Sequence, residues 1–135
     1  MITAAFPNSA KVDLLQRGAA DEYRIALYTS AATLSKATTV YTSAGAVVGT
    51  GYTAGGKVLT GAAVSLDGDT AILDFSDPSW PDATITARGA LIYNATQSNK
   101  AVAVLDFGAD VASTAAAFTV QLPAPTAAAG LVRVL

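Results

Sequence analysis

The sequence predicts an all-β protein, an antiparallel β-sandwich or jelly roll of about eight short strands with one short N-terminal helix. Short runs rich in β-branched and aromatic residues recur along the chain, turn residues separate them at near-regular spacing, and one segment near the start carries a helical pattern. A chain of 135 residues suits a single domain spanning 1–135, with 1–19 as an N-terminal arm that holds the helix.

The helix is expected over Pro7 to Arg17, with Asn8 or Ser9 as N-cap and Gly18 just past its end. Val12 and Leu15, with Leu14 beside them, form its apolar stripe. About three turns of helix do not hold in water, so this segment must dock on its own sheet or on a neighbouring subunit. The pattern then turns to β. Tyr23-Arg24-Ile25-Ala26-Leu27-Tyr28 alternates, and further strands are expected over Thr38 to Thr42, Lys57 to Leu59, Ala62 to Leu66, Thr70 to Phe75, Thr84 to Asn94, Ala101 to Phe107, Phe118 to Leu122 and Leu131 to Leu135.

Asp67-Gly68-Asp69 and Gln97-Ser98-Asn99-Lys100 each join two runs as a hairpin turn does. The Gly-, Thr-, Ala- and Ser-rich stretch from Thr42 to Gly56 has no strong period and reads as a long surface loop containing one edge strand, a partner-contacting segment that includes Tyr52. The pentapeptide Ala71-Ile72-Leu73-Asp74-Phe75 is echoed by Ala103-Val104-Leu105-Asp106-Phe107, without the longer period of a solenoid or propeller.

Hydrophobic residues make up 52% of the chain and charged residues 13%, which excludes disorder and favours a surface partly covered by neighbours. Net charge is −2, and the basic residues are scattered singly from Lys11 to Arg133, so no stripe follows a phosphate backbone and nucleic acid is not an expected partner. No apolar run reaches the roughly 18 residues of a membrane span, and the start of the chain lacks the parts of a secretory signal. Cysteine and histidine are both absent, which removes disulfides, thiolate ligands, the cysteine nucleophile and the commonest general base. No enzymatic activity, cofactor or metal is therefore expected.

Asp67 and Asp69 flank a glycine but lack the remaining ligands of a calcium loop. The Gly49-Thr50-Gly51 and Gly55-Gly56 pairs lack the lysine and serine or threonine of a phosphate cradle. Trp80 among Asp74, Asp77 and Asp82 has the composition of a sugar site, against the plainer reading of turn chemistry around a core tryptophan. Asn94-Ala95-Thr96 satisfies the glycosylation sequon and reads as a turn. Arg24 and Arg88 interrupt apolar strands and require carboxylate partners or an exposed face; for Arg88 the candidates are Asp74 and Asp106. Val12, Leu15, Tyr52 and Trp80 are the candidate partner contacts.

Four segments, Ile25 to Leu34, Gly49 to Gly56, Ala87 to Asn94 and Ala103 to Gly108, together resemble a family of small tailed-phage virion proteins, over most of Glu22 to Leu135. The resemblance implies a non-enzymatic structural protein of the virion and supplies no catalytic residues. It implies nothing finer. The low charge, the Thr-, Ala- and Gly-rich loop and the N-terminal helix suit a capsid decoration or cement protein, with a tail, connector or fibre-base component as the alternative, and Trp80 with Asp77 and Asp82 supply a carbohydrate-binding module as a third reading. The implied partners are the major capsid protein or other virion proteins, together with further copies of the same chain in a homo-oligomer. No membrane partner is implied.

Overall fold

The computed structural model describes residues 2–135. It is mostly β, with two antiparallel sheets and one short helix. In chain order the elements are α1 (Asn8–Gly18), β1 (Tyr23–Tyr28), β2 (Lys57–Val58), β3 (Ala63–Asp67), β4 (Thr70–Asp74), β5 (Ser79–Asn94), β6 (Lys100–Thr119) and β7 (Val132–Val134). They gather into two compact units. The smaller takes the residues up to Ala20 with Thr60–Ser76 and Leu122–Leu135, and the larger takes Asp21–Leu59 with Asp77–Gln121. Both units lie within the 1–135 span that the sequence suggests as one domain, and α1, expected in an arm over 1–19, falls in the smaller unit.

In the smaller unit the sheet runs β3-β4-β7. Asp67 pairs with Thr70, so Gly68-Asp69 makes a two-residue hairpin, and β4 is then flanked on its other edge by Val132–Val134. Ala71 and Ile72 on this central strand are fully buried. The helix meets β3 and β4 through polar groups: Asn8 Nδ2 donates to Asp69 Oδ1 at 3.0 Å and Lys11 Nζ to the Asp69 carbonyl at 2.6 Å. This changes the expected capping. Asn8 lies inside α1 with its amide engaged by the hairpin, Pro7 holds the N-cap position without a side-chain bond, and Gly18 is the last helical residue with Ala19 as C-cap. Lys11 is the buried residue of the helix, while Val12 and Leu15 are half-buried and Leu14 is exposed.

In the larger unit the sheet runs β2-β1-β5-β6. Every residue of β1 pairs with β5, from Tyr23 with Asn94 to Tyr28 with Gly89. All of β1 except half-buried Arg24, and the facing Ala90–Asn94, are buried, so both faces of this pair are covered and alternation gives way to continuous apolar sequence. One face carries Ala26, Tyr28, Leu91 and Tyr93, with Ala32, Leu34, Tyr41 and Ala46 packed against them.

The other edge of β1 meets only two residues of β2, and the segment from Thr42 to Gly56 continues the job irregularly. The Val47 N–H donates to the Leu27 carbonyl, the Thr29 N–H to the Gly45 carbonyl, and the Leu27 N–H to the Tyr52 hydroxyl at 2.8 Å. This stretch, expected as a surface loop with one edge strand, is laced to the sheet by isolated bridges and bonds and forms no named strand. Gly56, at φ +78°, lets the chain pass so close to β1 that a Cβ there would collide with the Ile25 carbonyl oxygen.

Several strand boundaries move. Thr38 to Thr42 contributes a single bridge, Val40 to Lys100, and β5 begins at Ser79 instead of Thr84. Ala101 to Phe107 and Phe118 to Leu122 are not separate strands, because β6 runs from Lys100 to Thr119. The intervening small residues have low intrinsic strand preference, and pairing with β5 overrides it.

Phenol hydroxyls tie the larger unit together. Tyr28 donates to the Thr42 carbonyl and Tyr93 to the Gly55 carbonyl, and the Tyr41 and Tyr93 rings lie 4.8 Å apart. Burial pushes the Tyr23, Tyr28, Tyr52 and Tyr93 hydroxyls above the ordinary tyrosine range, Tyr28 furthest. The folded chain therefore keeps phenol protons that the unfolded chain releases near pH 10. Their contribution to stability is complete below about pH 10 and is lost as pH rises through the elevated folded values. Alkaline titration should show most phenolate absorbance appearing in one steep step together with loss of near-ultraviolet circular dichroism, rather than gradually in a folded chain. Separately, Gly56→Ala should destabilise the fold by more than about 2 kcal/mol in chemical denaturation, from the strained φ and the collision combined.

Candidate interaction surface

β5 and β6 form a long ribbon whose register slips at defined places. Ala87 pairs with Val111 and Gly89 with Asp106, so Arg88 alone faces Phe107, Gly108, Ala109 and Asp110. This wide bulge turns on Gly108, whose φ of +78° suits a residue without Cβ. Asp106 Oδ1 accepts the Gly108 N–H at 2.9 Å and so caps the turn from inside the strand.

The guanidinium of Arg88 stands between the acids at either side of the bulge. Its Nε lies 3.7 Å from Asp106 Oδ1 and its Nη1 4.0 Å from Asp110 Oδ1. Both separations exceed hydrogen-bond length, and the side chains are 42%, 79% and 58% exposed in the order Arg88, Asp106, Asp110. Solvent screens such a pair, so it orients the bulge and adds at most about 1 kcal/mol. An open groove of about 280 Å³ adjoins it, lined among others by Tyr28, Thr29, Ser30, Leu34, Arg88 and Val104.

Asp74, the other acid considered for Arg88, ends β4 in the smaller unit opposite Ala63. Its Oδ1 is the one buried side-chain oxygen or nitrogen among the described residues that accepts no hydrogen bond. Asp110 is the acid that strand spacing could not nominate, because an unbulged ladder carries it well past Arg88. An isolated glycine within a strand pattern is the available signal of such a bulge. Arg24 has its carboxylate next door, with Nε donating to Glu22 Oε2 at 3.0 Å.

Trp80 and Tyr52 face inward. Trp80 is 5% exposed, meets Phe118 edge-on at 6.3 Å and Tyr52 at 5.9 Å, and lies under the Lys57 ammonium, which donates to the Ser79 carbonyl. With its ring enclosed, Trp80 offers no open face to a sugar, although Asp77 and Asp82 beside it are exposed. Asn94 of the sequon is buried as well. Its Nδ2 donates to Asp21 Oδ2, and its Oδ1 accepts the N–H groups of Thr96 and Gln97, which makes it the organiser of the β5–β6 turn.

Among the described residues no three His, Cys, Asp or Glu side chains gather as metal ligands, and no helix is long and apolar enough to cross a membrane. The chemistry concentrated here is that of contact: a bulged, exposed strand with acids at its centre and a groove at its side. No protein-family model, curated protein or solved structure matches the chain. Replacing Asp106 with Ala should accelerate amide hydrogen exchange at Gly108 at least several-fold, because that N–H loses its acceptor. Global stability should change by less than about 1 kcal/mol, as read by denaturant melts.

Proposed function

We propose that this chain is a non-enzymatic structural subunit of a tailed-phage particle, acting as a capsid decoration or cement protein that bridges neighbouring shell subunits. The observation that carries this reading is the surface of β6. Residues 108–117 are exposed apart from half-buried Ser113, and Val111 to Thr119 holds no charged side chain. A strand that is solvent-exposed, uncharged and at the edge of its sheet is suited to being covered by a neighbour. On a symmetric lattice many shallow contacts of this kind add through avidity, so no single interface has to be strong. The family resemblance of the four segments points to a virion structural protein.

A tail or connector position would use the same surface in fewer copies. The enclosed Trp80 ring weighs against the sugar-binding alternative. Quantitative mass spectrometry of purified particles, scaled to the major capsid protein, is the test. Decoration requires a copy number approaching that of the shell subunits. A small number matching the tail symmetry moves the protein to the tail or connector, and absence from particles overturns the structural reading.

A further inference from the structure

The outer edge of β6 is divided by its surroundings. At its start the Ala101 N–H donates to the Thr39 carbonyl and the Asn99 carbonyl accepts the Tyr41 N–H, so the loop before β2 already covers residues up to 101. Four residues further on from Ala103, the bulge opposite Arg88 begins at Phe107 and bends the edge away. Between these limits the register slips once at Val102, since Ala101 pairs with Tyr93 and Ala103 with Ile92, and Ala103–Val104–Leu105–Asp106 then follows a regular ladder with no strand on its outer side. Val104, within this run, is 37% exposed.

Charge is distributed unevenly about Val104. Lys100 and Lys36 lie on the side of Ala101, Lys36 lining a shallow groove with Ala101, Val102, Ala103 and Val104. Asp106 and Asp110 lie on the opposite side, both well exposed. A segment with its cations at one end and its anions at the other is complementary to itself when inverted, the condition an isologous two-fold contact must meet.

We infer that a second copy of this chain pairs antiparallel along this edge, with Val104 facing the second copy's Val104 across a two-fold axis. Ala103 then stands opposite Leu105 of the second copy, and the acidic end of each edge, Asp106 and Asp110, runs beside the basic end of the other, Lys36 and Lys100. The same register brings the two grooves beside Val104 together and gives the free backbone groups of the edge their partners. The bulge sets the length of the pairing and excludes longer, sliding registers. This inference does not depend on a place in a particle, and purified chain alone tests it.

Sedimentation equilibrium over concentrations up to the solubility limit should show a reversible monomer–dimer exchange that weakens as salt rises. Val104→Lys sets two like charges against each other on the axis and should raise the dimer dissociation constant at least tenfold. Val104→Thr, uncharged and still β-branched, should leave it within a few-fold. Lys100→Glu should weaken the dimer and reduce its salt dependence. Near-ultraviolet circular dichroism checks that each variant keeps its fold. A chain that is monomeric at every concentration, or a dimer indifferent to Val104→Lys, overturns the inference.

Discussion

The architecture depends on satisfying β1. This strand is buried on both faces, so water cannot serve the backbone groups along it, and an unpaired buried N–H or carbonyl costs about 1–3 kcal/mol. One edge is met by the regular ladder of β5. The other is met piecemeal by Val58 and Lys57, the Tyr52 hydroxyl and the N–H groups of Val47 and Leu59. Tyr52, Gly56 and the irregular path of residues 42–56 follow from that requirement. The segment with the least regular composition is therefore among the most constrained.

The two echoed pentapeptides show how little a local pattern decides. Asp74 and Asp106 each follow three apolar residues and precede a phenylalanine. Asp74 closes a short central strand and leaves one oxygen buried without a donor, whereas Asp106 opens a bulge, caps it through Gly108 and faces Arg88 in solvent. The difference arises from what lies across the ladder. Opposite Asp74 is Ala63, and opposite Asp106 is a glycine next to an arginine.

The fold class was legible because alternation and β-branched content are local properties, and so was the hairpin at Gly68-Asp69, where turn chemistry is explicit. What escaped were features set by distant partners. Asn8 has the form of a helix cap, but Asp69 takes its amide. The run from Gly108 to Ala117 has no strand signature of its own and becomes strand because β5 holds it. Trp80 reads first as a core residue and Tyr52 as a loop contact, and burial, which a sequence does not display, encloses the Trp80 ring with Tyr52 packed against it. Arg88 stands half-exposed beside Asp106, and its second acid, Asp110, comes near only through a slip in register.

The division of the chain into units has a consequence for the order in which it is made. Each of the smaller unit's three segments is separated from the next by a whole segment of the larger one, so the larger unit's pieces are insertions in it. Its sheet closes when β7 pairs with β4, and all of β5 and β6 is synthesised between those two strands. The β1–β5 pairing, by contrast, can form before β7 exists. The smaller unit thus matures last, across the longest loop in the molecule, and its closure is the step at which slow folding and premature association compete.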